Sequence, residues 1–211
     1  MMFRDKYGYP VDSTLDGGDS AVRASILAMS KSNDRFMVKD YVNHQYLLMR
    51  HPSQIPWNNP RNCSRDQTVM LVAGLHSLKH FHEVIEHIFY STLKRFSFAQ
   101  NFDKDAIGTP KHLPEDFADP ILPNVLGMMI LGGKVYAAYW FLPVCWFFHL
   151  LFLFGPHTEE NQTIAECSVY GTLPLYQLIR RKWEPNSFKY WYSRGETEYH
   201  DMLVKIVKGE K

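Results

Sequence analysis

Apolar positions in this chain recur every three or four residues over several stretches, with joints rich in glycine, proline and asparagine. Residues 1–18 read as an extended, turn-rich entry that closes on Asp16-Gly17-Gly18-Asp19-Ser20. Two glycines allow a tight turn there, and Asp19 or Ser20 can cap the helix that follows. Val22, Ile26, Leu27 and Met29 give that short helix its apolar side. The stretch from about 34 to 49 is rich in Tyr, Val and Leu and reads as a second helix. Residues 50–63 hold three prolines and three asparagines, which predicts a structured loop. Ser64 with Gln67 three places on has the form of a capping box, and Asp66 complements the helix dipole. From there Leu71, Leu75, Leu78, Phe81, Ile85, Ile88 and Phe89 hold one face of a single long helix to about residue 98.

Residues 99–120, with Gly108, Pro110, Pro114 and Pro120, form another structured loop. The span 121–154 is almost wholly apolar and reads as buried core helices, punctuated by Pro123, Gly132-Gly133-Lys134 and Pro143. A helix over about 160–181, kinked or split at Pro174, is followed by a basic, aromatic loop over 182–193 and a short final helix over 196–208. Strand-like alternation and internal repeats are absent from the pattern. The expectation is an all-α, irregular multi-helix domain of seven or eight helices spanning 1–211, with long polar loops.

Val135–Phe154 runs twenty residues without a formally charged side chain, enough by length for a membrane span. Lys134 before it and Glu159 and Glu160 after it would place its N-terminal side in the cytoplasm. Pro143 and His149 sit inside the run, and its aromatics crowd the middle instead of forming two interfacial belts. A core helix pair, apolar all round, explains the same letters and is preferred over the membrane reading.

Composition narrows the function classes. The 211 residues are 45% hydrophobic and 21% charged, with a formal net charge of +1, which suits one globular domain and argues against an electrostatically driven nucleic-acid binder. Cys63, Cys145 and Cys167 form no spaced pair, so neither a disulfide framework nor a zinc ribbon is expected. The first residues lack the apolar segment of a secretory signal, which fits a reducing cytoplasm or a virion. No phosphate loop, dinucleotide fingerprint or serine elbow occurs, and no cofactor is expected.

Three constellations carry candidate chemistry. His76, His80, Glu83 and His87 share one face of the long predicted helix, where imidazoles and a carboxylate suit zinc or iron. The spacing misses the H-E-x-x-H pattern, and a solvated face opposite the core explains it as well, so no metal ligands are assigned. Arg180-Arg181-Lys182-Trp183, Lys189-Tyr190-Trp191-Tyr192 and Arg194 combine cations and rings as a single-strand nucleic-acid site does, although helix C-termini attract the same cations. The third cluster is in the N-terminal third. Arginine forks, an indole and paired acids in loops and helix starts are the makeup of a carbohydrate site. Here Asp66 and Asp19 would be the catalytic acid and base, in that order. Arg23, Arg50, His51, Arg65 and Gln67 would orient the sugar, with Trp57 as stacking surface. Helix capping and surface ion pairing are the plain alternative for the same residues.

Asp16–Arg23, Arg50-His51-Pro52 and Ser64-Arg65-Asp66-Gln67 resemble segments of uncharacterised tailed-bacteriophage proteins, over about the first third of the chain. That resemblance implies a viral accessory or virion protein and brings no activity with it. The order of polar turn, helix, polar loop and helix also looks like part of the α/α-toroid glycan-processing enzymes, which implies an open or truncated toroid-like arrangement here. Two functions follow as expectations: a domain that binds or cleaves a glycan, or a non-enzymatic structural or interaction protein. In the second, residues 183–192 and 121–154 bury against partner chains, a second copy included. Membrane association through 135–154 is a third.

Overall fold

Ten consecutive residues of the first helix, α1 (Ser20–Met29), are buried on every side. Small residues make this possible: Ala21, Ala24, Ser25 and Ala28 let neighbouring elements approach closely. The most extensive of these contacts is with α2 (Arg65–Ser77). At the crossing a side-chain carbon on Gly74 would lie 3.0 Å from the Ser25 Cα, so the two backbones meet at a position that leaves no room for one. A computed structural model describes residues 2–97, 99, 120–154, 160–170 and 189–209, and shows an all-α domain with one two-stranded ribbon. The expected loop over 99–120, Pro174, Cys167's side chain and the basic run 180–183 lie outside the described residues, apart from Ala99 and Pro120.

The entry segment pairs β1 (Phe3–Arg4) antiparallel to β2 (Pro10–Val11), with Phe3 opposite Val11. The expected helix over 34–49 is not formed. Arg35–Tyr41 is a 3₁₀ turn, after which Val42 and Leu48 bridge across a tight loop. Asn43 explains the departure: its Oδ1 accepts the N–H groups of Gln45 and Leu47 at 2.9 and 3.0 Å, an alternative to helical bonding.

The expected long helix over 64–98 is two helices, α2 and α3 (His82–Lys94), separated by a turn in which Lys79 takes φ of 60°. Leu78 and Phe81 still pack on the common core through that turn, so the apolar period continues where the helix does not. α4 (Pro123–Gly132) is the innermost later helix, packed against α2, α3, α5 (Leu142–Phe154) and α6 (Glu160–Tyr170). A 3₁₀ turn, Tyr136–Phe141, leads from α4 into α5. The span 121–154 is therefore not uniformly core. α4 is buried, whereas α5 turns only Leu142, Cys145 and His149 inward among its described side chains.

Residues 189–193, expected as part of a loop, form the short helix α7 (Lys189–Ser193), and α8 (Thr197–Lys208) closes the described chain. Tyr199, Leu203 and Val207 of α8 are buried, and Gly209 ends it in the left-handed conformation that helix C-termini favour. α8 packs on α1 and α6, which brings the two ends of the chain together.

Candidate functional site

The turn before α1 gathers most of the polar residues singled out above. Asp19 stands at the N-cap position, yet its side chain makes no capping bond. Its Oδ1 accepts from Gln67 Nε2 at 3.2 Å, and its Oδ2 accepts from the Tyr190 hydroxyl at 3.0 Å and Arg194 Nη1 at 3.5 Å. Gln67 is thereby drawn away from any capping box, and Ser64 makes no cap bond either. Burial and the Asp19 charge push the Tyr190 phenol up to about 12, which keeps it a donor. Both oxygens of the Asp19 carboxylate are thus engaged as acceptors by groups of this chain.

Arg194 is the hub. Its Nη2 lies 3.1 Å from Asp12 Oδ2 and its Nε 3.2 Å from Glu196 Oε1. Glu196 in turn takes a two-pronged pair from Arg23, at 2.8 Å from Nε and 2.9 Å from Nη2. Arg23 is fully buried, with the Trp191 ring 5.6 Å from its guanidinium carbon. Burial opposes its charge, but the Glu196 hydrogen bonds and charge more than offset that and raise its pKa. Arg23 therefore ties α1 to the residue before α8, with its guanidinium closed off from water.

The other predicted residues divide the same way. His51 is buried against Gly17, where an added side-chain carbon would come within 2.5 Å of the imidazole. Its Nδ1 accepts the N–H groups of Ser53 and Gln54 at 3.1 and 3.0 Å, which places the ring proton on Nε2, 3.4 Å from Asp5 Oδ2. Burial lowers its pKa, against the pull of Asp5 and Asp16. Gln67 is buried as well. Arg50 donates from Nε to Asn62 O at 2.6 Å and lies over the Trp57 ring, whose Nε1 donates to Asp16 Oδ1 at 2.6 Å. Asp66 accepts from the Ser64 hydroxyl in the first turn of α2, and Arg65 reaches Pro120 O at 3.5 Å.

Asp16, Asp19, Trp57 and Gln67 thus share one turn. Arg23, His51 and Gln67 are internal, and Asp66 is held locally by Ser64. Sequence reasoning left Asp12 and Glu196 out of this cluster and placed Tyr190 and Arg194 in a different one. Arg194 lies 175 residues from Asp19, and no local pattern signals such a pairing.

The histidine stripe does not survive the break between α2 and α3. His76 is on α2, where burial and then the charges of His82 and Lys79 lower its pKa. His80 is in the turn. Glu83 and His87 are on α3, 3.9 Å apart, and His87 stacks on Tyr46. Among the described residues no group of three or more His, Cys, Asp or Glu side chains is placed to hold a metal ion.

A different surface has the features of a binding site. Along the Tyr136–Phe141 turn and α5, Tyr136 is 72% exposed, Trp140 78%, Phe147 58% and Leu151 54%, with Val144, Trp146 and Phe148 beside them. α5 is fixed from beneath. His149 Nδ1 meets Glu166 Oε2 of α6 at 2.5 Å, and the Asn124 amide of α4 donates to the other Glu166 oxygen. Tyr170 donates to Asn124 O at 2.7 Å, and Gly127 packs so tightly on Cys145 that a side-chain carbon would come within 2.6 Å. Burial pushes the Cys145 thiol up to about 11, which leaves it inert. The inward side is pinned at several points, so the outward aromatic side is held open to water. Compared with protein-family models, curated proteins and solved structures, the chain matches none.

Proposed function

We propose that this protein docks on a lipid bilayer surface through the aromatic face of residues 136–151. The observation that carries the reading is the exposure of seven large apolar side chains along one turn and the helix it leads into. Such a contiguous apolar surface marks an interaction site. Its chemistry favours lipid over protein. Residues 135–154 contain no charged side chain, and His149, the one strongly polar member, is turned inward. Protein interfaces carry a polar rim and about one hydrogen bond per 100–200 Å². Within residues 136–151 this face offers little beyond tyrosine hydroxyls and indole N–H groups, which sit well at a bilayer interface, and its charged neighbours are confined to the end at Tyr136.

No described helix is long and apolar enough to cross a membrane. α5, at thirteen residues, spans about 20 Å, so it would lie in the interface plane. Completing the burial of half-exposed side chains of this size contributes roughly 1 kcal/mol each. The total is comparable to a single myristoyl chain, with a partition constant of about 10⁴ M⁻¹, and implies reversible attachment.

The test is co-sedimentation of the full chain with phosphatidylcholine vesicles. Half the protein is expected to pellet near about 0.1 mM accessible lipid. Replacing Trp140, Phe147, Phe148 and Leu151 together by serine is expected to leave the protein in the supernatant. A wild-type protein that ignores vesicles and forms a dimer, which the same variant splits, would make this face a contact between copies and overturn the proposal.

A second reading, glycan binding at the turn before α1, draws on one observation. Trp57 and Tyr190 are each hydrogen-bonded to carboxylates three residues apart, Asp16 and Asp19, so two rings are tethered to one turn. Pre-positioned rings suit the C–H faces of a sugar. Quenching of tryptophan fluorescence by oligosaccharides, lost in Trp57→Ala, supports this reading. Silence across a glycan array ends it.

A further inference from the structure

Beside the aromatic face is a cleft that neither reading uses. It lies between the start of α3 and residues 133–137, has a volume of about 430 Å³, is broadly open to water, and has Tyr136 in its lining. The backbone sets its shape. A side-chain carbon on Gly133 would fall 2.7 Å from the Glu86 nitrogen, so the chain after α4 can press against α3 only with glycine there. His82 Nδ1 meets the Gly132 carbonyl at 2.5 Å and fastens the two walls together. Lys134 follows at φ of 52°, an uncommon conformation for a residue with a side chain. The cleft is therefore preformed, and its volume falls in the lower range of small-molecule sites.

Its lining has a specific chemistry. Glu83 and Glu86 supply two carboxylates, Tyr90 and Tyr136 supply two rings, and Lys134 supplies one cation. Glu83 has only a distant contact with His87, at 3.9 Å. Among the described residues, the side chains of Glu86 and Lys134 have no ion-pair or hydrogen-bond partner. Carboxylates and ring faces together attract an organic ammonium. A lysine at the edge of the same cleft is a point charge for a phosphate. A ligand carrying an ammonium and a phosphate a few bonds apart satisfies both sets.

We infer that this cleft binds a phosphate-linked organic ammonium, the chemistry of a zwitterionic lipid headgroup. The lipid as its source rests on the membrane-docking reading above; the ligand chemistry of the cleft stands without it. Docking by 136–151 would bring Tyr136, and the cleft mouth it lines, to the level of the headgroups. The aromatic face then supplies unspecific attachment, and the cleft selects which bilayer is bound.

Soluble phosphocholine, titrated into the full chain by calorimetry, reads the cleft without a membrane. Binding is expected to weaken about tenfold in Glu86→Gln, the scale of one charge-assisted contact. In Lys134→Gln, phosphocholine is expected to lose its advantage over choline. Lys134 is exposed and Glu86 half-buried, and an unchanged melting temperature checks that the variants fold. Vesicles of phosphatidylcholine are expected to pellet more protein than vesicles of phosphatidylglycerol, and Glu86→Gln to remove the difference. No phosphocholine binding, with both vesicle types pelleting the protein equally, overturns the cleft and leaves the aromatic docking intact. Phosphocholine binding without vesicle binding does the reverse: it keeps the ligand chemistry, names a free solute as the source, and removes the docking reading.

Discussion

The knot around Arg23, Glu196 and Arg194 and the face over 136–151 use their side chains in opposite ways. In and around the knot, the acceptors are taken up by groups of this chain: Asp19 takes three donors, Glu196 takes two guanidinium groups, and the nearby His51 Nδ1 takes two backbone N–H groups. On the face, groups that belong in a core stand largely in water: Trp140 and Phe147 are more than half exposed. A residue's type says what contact it favours. Only the fold says whether that contact is already made, and a site is where it is not. The knot should therefore govern stability and the face should govern binding, with little crossover.

The largest expected effect tests the knot. Glu196→Ala leaves the buried Arg23 guanidinium without its two-pronged partner and is expected to cost about 3–5 kcal/mol, read by urea unfolding. Replacing both members by apolar side chains, Arg23→Met with Glu196→Leu, is expected to recover most of that, because no uncompensated charge is left buried. A single variant that loses less than about 1 kcal/mol would reduce the knot to a surface ion pair and reopen Arg23 as a ligand-binding group.

How far the chain could be read in advance follows the same division. α1 is legible because its apolar positions and the glycine turn before it, Gly17-Gly18, are local signals. The two N-terminal loops touch through the Asp16–Trp57 and Asp19–Gln67 bonds, while Asp66 is held by Ser64 and Arg23 by Glu196. The break between α2 and α3 is hidden, because Leu78 and Phe81 keep the helical period through a non-helical turn. The hairpin-like loop at Asn43 is hidden because one side chain overrides a sequence that otherwise favours helix. The exposure of Trp140 and Phe147 is hidden for a deeper reason. Hydropathy reports how much a side chain gains by leaving water, not whether this chain supplies the neighbour that lets it leave.

An intermediate effect comes from pH. His51 and His76 are held below the usual histidine value chiefly by burial. The unfolded chain therefore binds protons more readily than the folded one. Their contribution to stability is complete above about pH 6.5, the unfolded value, and is lost as pH falls toward their folded values. Urea midpoints measured from pH 8 to pH 5 should decline below pH 6.5, and less steeply in His51→Gln with His76→Gln. Asp12 is shifted down, with the Thr14 hydroxyl and the backbone N–H groups of Asp16 and Thr14 outweighing its burial. Its contribution is complete above about pH 3.8 and fades only below that, so the two windows can be told apart. A flat profile between pH 8 and pH 5 would mean that neither imidazole differs between the folded and unfolded chain.

The smallest expected change in stability belongs to the aromatic face, and it separates the two regions most cleanly. Trp140→Ser and Phe147→Ser remove side chains whose outer surface is already in water, so each is expected to move the unfolding free energy by no more than about 1 kcal/mol. Cys145 and His149, on the same helix but facing inward, give the contrast. His149→Leu leaves Glu166 buried without the imidazole and is expected to cost several times more, although it lies four residues from Cys145 and two from Phe147. One helix would then show binding losses for its outward positions and stability losses for its inward ones. If the outward serines destabilised the protein as much as His149→Leu, the exposed rings would be packing against other parts of this chain. The face would then belong to the core, and the docking surface would have to be sought elsewhere.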